Sequence, residues 1–141
     1  MNIIIGSDHA GYELKLQLIS FFSDKYKFTD VGTNSLESCD YPDYAHQVAN
    51  AVSKNEYEFG ILICGSGTGV NITANKHKNV RSALSWIPEI AKLAREHNNA
   101  NILALPARFI SVEEANKIVE VFLSTNFEGG RHLNRVNKIE Q

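Results

Sequence analysis

Residues 59–69 read FGILICGSGTG, a largely apolar run that leads directly into a turn with three glycines. An apolar run without alternation predicts a strand buried on both faces of a sheet, because a strand with one solvated face alternates apolar and polar residues. A glycine-rich turn after such a strand is typical of strand–turn–helix units in parallel α/β proteins. The segment therefore predicts a central parallel strand with Cys64 at its carboxyl end.

The same alternation of short β-branched runs and segments of helical period extends along the whole chain. It predicts further strands at 2–5, 28–31, 80–84 and 101–105, with helices between and after them. Strand–helix alternation implies parallel strands, right-handed crossovers and helices on both faces of the sheet. We predict one domain over residues 1–141, a doubly wound, Rossmann-like α/β fold with a five-stranded parallel sheet and a basic helical tail from about residue 129.

Apolar stripes and a capping signal define the helices. The last long helix is expected to start at Ser111, whose hydroxyl would pair with Glu114 in a capping box, and to end at the glycine pair 129–130. The first and fourth helices are expected to bury two stripes: Leu14, Leu18, Phe21 and Phe22 in the first, and Ile87, Ile90, Ala91 and Ala94 in the fourth.

Composition excludes several classes of function. The chain has 43% hydrophobic and 21% charged residues and a net charge of −2, which argues against a broad nucleic-acid-binding surface. Cys39 and Cys64 form no CxxC pair, so neither a disulfide framework nor a zinc ribbon is indicated, and a reducing, cytoplasmic location is expected. No segment has the apolar length of a membrane span.

The turn GSGTG at 65–69 could hold an anion or a developing oxyanion with its free backbone amides. Its glycines could equally serve only to permit a tight turn. It is neither a Walker A loop nor GxGxxG, which disfavours a nucleotide. Cys64 has two interpretations as well: a small buried strand residue, or a thiolate favoured by the following helix N-terminus and used as a base or nucleophile.

Four more segments carry candidate residues. Asp8 and His9 follow the first strand, where they could bind a ligand or serve as a helix cap and a solvated turn residue. His97 ends the fourth helix, and Arg131 and Arg135 lie four apart, suited to a phosphate or to a solvated helix face. Because parallel sheets bind ligands beyond the carboxyl ends of their strands, we expect all of these at that edge. No metal site is predicted, since Asp8, His9, His97 and His132 show no ligand spacing.

Five segments, in order along nearly the whole chain, resemble the type B ribose-5-phosphate isomerases, a family that includes the galactose-6-phosphate isomerase subunits. They are GSDHAG (6–11), DYPDYA (40–45), LICGSGTGVNITANK (62–76), REHNNANILAL (95–105) and GGRHLNRV (129–136). The resemblance implies a doubly wound fold, no cofactor or metal, and a homodimer, with a tetramer as the alternative, whose sites are shared between subunits. It implies interconversion of D-ribose 5-phosphate and D-ribulose 5-phosphate through a cis-enediolate.

The resemblance also assigns roles to residues of this chain. Cys64 matches the base that moves the substrate proton, and His97 the acid/base that opens the sugar ring, helped by the Ser66 hydroxyl. The amides from Gly65 to Gly69 would stabilise the enediolate. Substrate-binding positions are matched by Asp8, His9, Gly65, Ser66, Gly67, Thr68, Gly69, Asn98, Arg108, Arg131 and Arg135.

Two alternatives stay open at this point. The substrate could be a six-carbon sugar phosphate, allose or galactose 6-phosphate, or the chain could be a non-catalytic module that binds a sugar phosphate or nucleotide. Thr68, Asn71 and Pro106 depart from the usual family pattern and bear on loop shape and sugar length. The motifs around Cys64 and around His97 stand in one chain here, which favours a homomeric pentose-phosphate isomerase.

Overall fold

A computed structural model describes residues 1–140, which fold as one parallel sheet between two layers of helices. The elements are β1 (Asn2–Ser7), α1 (Tyr12–Phe21), β2 (Lys27–Asp30), α2 (Tyr41–Ser53), β3 (Phe59–Cys64), α3 (Thr68–Ala74), β4 (Ser82–Leu84), α4 (Pro88–Asn98), β5 (Ile102–Pro106), α5 (Val112–Ser124) and α6 (Arg131–Val136). The five strands are ordered β2-β1-β3-β5-β4 and every pairing is parallel, so the predicted fold is confirmed.

The central strand β3 is buried along its whole length because each face of the sheet is covered by helices. Ile61 and Ile63 join the core formed with α1, α4 and α5, whereas Leu62 and Cys64 join the core formed with α2 and α3. Full burial of an isoleucine or leucine side chain contributes about 1.5–3 kcal/mol, which is why the run carries no polar residue. Cys64 is thereby held at a fixed place on the sheet.

Two predicted helix stripes need correction. Phe21 is 62% exposed, since Lys15, Leu18 and Phe22 centre the buried face of α1 and Phe21 lies at its margin. In α4 the buried residues are Ala91, Ala94 and Arg95. Ile87 and Ile90 are each 45% exposed, because Ile87 precedes the first helical turn and Ile90 points away from the sheet.

Several element boundaries also differ from the prediction, and the structure explains two of them. β4 begins at Ser82 because Asn101 binds the backbone of Arg81 instead. The side-chain oxygen of Asn101 accepts a hydrogen bond from the Arg81 amide, and the Asn101 amide donates one to the Arg81 carbonyl. The capping box of Ser111 and Glu114 is confirmed, but α5 ends at Ser124, before the glycine pair. The carbonyl of Thr125 accepts a hydrogen bond from the Arg95 guanidinium at 3.1 Å, and Thr125 is extended, so the helix stops there.

None of the helices in residues 1–140 combines the length and the apolar character that crossing a membrane requires.

Candidate active site

The turn after β3 is fixed by the turn after β5. The carbonyl of Cys64 accepts a hydrogen bond from the amide of Ala107 at 2.9 Å, and that of Gly65 accepts one from the amide of Arg108 at 3.0 Å. Pro106, which has no amide hydrogen, lies opposite Cys64 in the register. Cys64 itself is 5% exposed, so its thiol sits at the carboxyl edge in a site largely closed to water.

The glycine turn has a shape that side chains would not permit. Gly67 has φ +74°, and a Cβ added there would lie 2.5 Å from Leu84 Cδ1 and 3.0 Å from the carbonyl carbon of Leu105. The turn therefore lies directly on the ends of β4 and β5. It leads into α3, where the amide of Thr68 donates a hydrogen bond to the Ser66 hydroxyl at 3.3 Å, whereas the other first-turn amides have no partner within the helix and can serve a ligand.

Two larger side chains frame this turn. A Cβ on Gly65 would lie 3.2 Å from Nη1 of Arg108, so the guanidinium rests against the glycine backbone and places a positive charge there. A Cβ on Gly69 would lie 2.5 Å from Cε1 of Tyr41, so that ring covers the first turn of α3. Tyr41 lies in the segment DYPDYA and was assigned no role from the sequence. Ser66 and Thr68 are exposed beside them.

Asp8 and His9 lie at the same edge, after β1. The Asp8 carboxylate accepts hydrogen bonds from the amides of Ala10 at 3.0 Å and Gly11 at 3.1 Å, so it closes the turn before α1. It is not the helix cap, a position taken by Gly11 without a side-chain bond. His9 Nδ1 accepts a hydrogen bond from the amide of Cys39 at 3.2 Å, which leaves Nε2 to carry the proton of the neutral ring.

His97 and its neighbours form a second cluster. The rings of His97 and His132 stack with centroids 4.3 Å apart and planes 12° apart, and His132 Nε2 lies 3.5 Å from a carboxylate oxygen of Glu128. These rings and Arg135 border a cavity of about 320 Å³, whose lining is His97, Asn98, His132, Arg135, Val136 and Ile139. Arg131 is exposed at the first position of α6.

The two clusters lie at opposite edges of the sheet, so the expectation of one common edge is wrong for His97, Arg131 and Arg135. Helix α4 returns from the carboxyl edge, and His97 near its end lies five residues before Ile102, where β5 begins. The five residues of β5 alone separate the edges by about 13 Å. His97 belongs to the end of a helix, which returns to the amino ends of the strands, rather than to a loop that follows a strand.

Arg95 fixes the backbone around His97, a role that the sequence did not reveal. Its guanidinium carbon lies 4.8 Å from the centroid of Phe59 and 5.8 Å from that of Phe122, and the group donates hydrogen bonds to the carbonyls of Thr125 and Ala100. Burial lowers the pKa of Arg95 from its ordinary value. The side chain thus ties the end of α4 to the segment that leads into α6.

The sequence of the chain matches one protein family. The family model described as Ribose/Galactose Isomerase matches residues 3–139, and the chain belongs to this family, as its motifs predicted.

Curated and solved relatives give the comparison more detail. The chain is 43% identical over 138 residues to the ribose-5-phosphate isomerase B of Escherichia coli strain K12, covering 97% of this chain and 93% of that protein. The crystal structure of a ribose 5-phosphate isomerase from Thermotoga maritima superposes with a TM-score of 0.96 at 51% identity, covering 99% and 97% of the two chains. Ribose-5-phosphate isomerase B from Mycoplasma genitalium with bound ribulose-5-phosphate has a TM-score of 0.92 at 47% identity, covering 98% and 93%.

Proposed function

We propose that this chain is an aldose–ketose isomerase that interconverts D-ribose 5-phosphate and D-ribulose 5-phosphate. The observation that carries the proposal is Cys64, held at the carboxyl end of β3 beside a turn of glycine amides. The family and the relatives named ribose-5-phosphate isomerase B, one of them solved with ribulose-5-phosphate, support the same reaction. The chemistry needs a base, an oxyanion site and a group that opens the sugar ring.

The proton transfer is assigned to Cys64. As a thiolate it takes the proton from C2 of the open-chain aldose, and the electron pair released forms the enediolate, whose negative charge rests on the former aldehyde oxygen. The amides of residues 65–69 stabilise that charge. A proton passes from the hydroxyl at C2 to the oxygen at C1, and return of the proton from Cys64 to C1 then gives the ketose. The buried setting of Cys64 supports this role, because a water-poor site strengthens the interaction between the amides and the oxyanion.

Ring opening is assigned to His97, with the exposed hydroxyl of Ser66 as the second group. His97 would move a proton between the ring oxygen and the hydroxyl at C1. Asp8, His9 and Asn98 are assigned to the sugar hydroxyls. Arg108, Arg131 and Arg135 are assigned to the phosphate, which guanidinium groups bind through paired charge-assisted hydrogen bonds.

We infer that the working enzyme is a homodimer in which the carboxyl edge of one copy faces the His97 edge of the other. An open-chain pentose phosphate extends over roughly 8 Å from C1 to phosphorus, given ordinary covalent bond lengths. The two edges of one chain are separated by more than that, since β5 alone spans about 13 Å. Two-fold symmetry would then create two identical shared sites. The unpaired Cys39 and Cys64 support a reducing, cytoplasmic setting.

The decisive experiment measures formation of ribulose 5-phosphate by purified protein in excess chelator. We expect Cys64→Ala to lower kcat by about 10²- to 10⁴-fold, the usual contribution of a general base. Cys39→Ala is the matched control, because the contact of its backbone amide with His9 survives the substitution. An undiminished rate in Cys64→Ala would overturn the base assignment, and no turnover by the unmodified protein would overturn the function. Ratios of kcat/KM for ribose, allose and galactose phosphates decide the sugar length.

A further inference from the structure

Three potential metal ligands converge beside the stacked rings of His97 and His132. The third is Glu128, and one ligand atom from each side chain lies within 4.8 Å of both others. They come from three segments: the end of α4, the loop before α6, and α6 itself. The loop is held in place by a hydrogen bond from the amide of Glu128 to the carbonyl of Glu96 at 3.1 Å. Tertiary packing, rather than sequence spacing, creates this group.

Two imidazoles and one carboxylate are a donor set that suits Zn²⁺ with three protein ligands and an open fourth position. Tetrahedral bonds of 2.0–2.2 Å separate ligand atoms by roughly 3.4 Å. Glu128 and His132 already meet that spacing, with 3.5 Å between oxygen and nitrogen. Closing the remaining gap takes side-chain rotations that move ligand atoms by up to roughly 1.4 Å and turn the stacked rings so that one nitrogen of each faces the same ion.

We propose that His97, Glu128 and His132 form a Zn²⁺ site that switches the enzyme off reversibly. The charges around it set its strength. Glu96, adjacent to His97 in sequence, adds negative charge, although it is paired with Lys92 at 3.5 Å. Arg135 borders the same cavity and opposes a cation. The site therefore responds to the concentration of free zinc and is not a permanent structural centre.

The effect on catalysis rests on the role of His97 proposed above, whereas zinc binding does not. A zinc ion bound to the ring nitrogen of His97 occupies the lone pair that would accept a proton during ring opening. The chain would then bind its substrate without opening the ring. Because imidazole and carboxylate ligands exchange when a stronger chelator is present, activity returns on its addition.

Zinc binding is tested directly by equilibrium dialysis against ZnCl₂. A Cys39→Ser/Cys64→Ser protein removes the thiols, which are the competing soft ligands. We expect it to bind one zinc per chain, and Glu128→Gln in that background to lower the affinity at least about tenfold. His77→Asn is the control, because it breaks the other close histidine pair, His46 and His77, whose nitrogens are 2.7 Å apart. Equal binding with and without Glu128→Gln, or loss of the zinc in His77→Asn, would overturn the site.

Activity measurements test the inhibition. Zinc should lower the rate of the unmodified protein and chelator should restore it, whereas Glu128→Gln should need at least about tenfold more zinc for the same fractional loss relative to its own metal-free rate. Equal sensitivity of the two proteins would overturn the switch. If the chain does not isomerise pentose phosphates at all, the proposed function fails, and the dialysis result still decides whether the zinc site exists.

Discussion

Cys64 and His97 lie at opposite edges of one parallel sheet, the first at the end of β3 and the second near the end of α4. Glycine amides and Arg108 lie beside Cys64, and Arg135 lies beside His97. The two sets of neighbours suit different parts of a sugar phosphate. A pentose phosphate is too short to reach both edges of the same copy. This separation makes association of two copies a condition of the proposed catalysis.

Gly67 should not tolerate a side chain. Gly67→Ala would be destabilised in two ways: alanine would have to adopt the positive φ of +74°, and its Cβ would lie 3.0 Å from the Leu105 backbone. We expect a loss of roughly 3 kcal/mol in the free energy of unfolding, about half from the left-handed backbone and half from overpacking. Gly129→Ala is the control, since φ is +69° there but nothing lies within 4 Å of the added carbon. Urea unfolding measures both variants, and equal losses would contradict the packing account.

The ion pair between the buried Lys15 and Asp30 should support the loop between β2 and α2, which carries Thr33. Lys15 is fully buried, and its Nζ lies 2.6 Å from both Asp30 Oδ1 and the carbonyl of Thr33. Asp30→Asn leaves that ammonium without a counter-charge, and we expect a loss of about 2–3 kcal/mol because Asp30 itself is partly exposed. Glu120→Gln, which breaks the exposed pair with Lys25, is the control and should change stability far less. Thermal or urea unfolding measures the stability of both variants. A loss of stability in Glu120→Gln as large as that in Asp30→Asn would contradict a stabilising role for the ion pair of Lys15 and Asp30.

Acidification should weaken the contact between α2 and the loop after α3. Burial, and secondarily the neighbouring His46, lower the pKa of His77 below its ordinary value. The unfolded chain therefore binds the proton more readily, so the stabilisation is complete above pH about 6.5 and is lost as the pH falls below that value towards the folded pKa. The unfolding temperature of the unmodified protein should drop further between pH 7.5 and 5.5 than that of His77→Asn. Parallel curves for the two proteins would rule out His77 as the titrating group.

Arg135 should act on substrate affinity. Its guanidinium borders the cavity beside His97, and a charge-assisted hydrogen bond to phosphate contributes about 1.5–3 kcal/mol. Arg135→Ala is therefore expected to raise KM by roughly 10- to 100-fold. Lys138→Ala, which removes the same charge from an exposed position three residues further on, should change KM little. An unchanged KM in Arg135→Ala, or a matching rise in Lys138→Ala, would show that the phosphate binds elsewhere or that only net charge matters.

The features that could be predicted from the sequence are those that depend only on residues close together in the sequence. The unbroken apolar run to Cys64 and the capping box of Ser111 and Glu114 are local signals, and both elements are present. The exposure of Ile90 is not local, because it depends on how α4 packs against the sheet.

The composition of the second cluster also depends on tertiary packing. His132 contacts His97 because α6 packs against α4, and no spacing in the sequence signals this contact. The edge at which His97 lies could have been predicted from the direction of α4, which returns to the amino ends of the strands. The resemblance to the family assigns roles to these residues without indicating that they lie at the opposite edge from Cys64.

Mixing two inactive variants tests the shared site most directly. Cys64→Ala and His97→Asn chains, each nearly inactive alone, are dissociated in urea, mixed in equal amounts and refolded together. Half of the resulting dimers carry both variants, and each of these has one site with an intact Cys64 and an intact His97, so the account predicts recovery of roughly a quarter of the unmodified rate. A mixture that stays as inactive as the separate variants would contradict it, because both residues would then have to act within one chain.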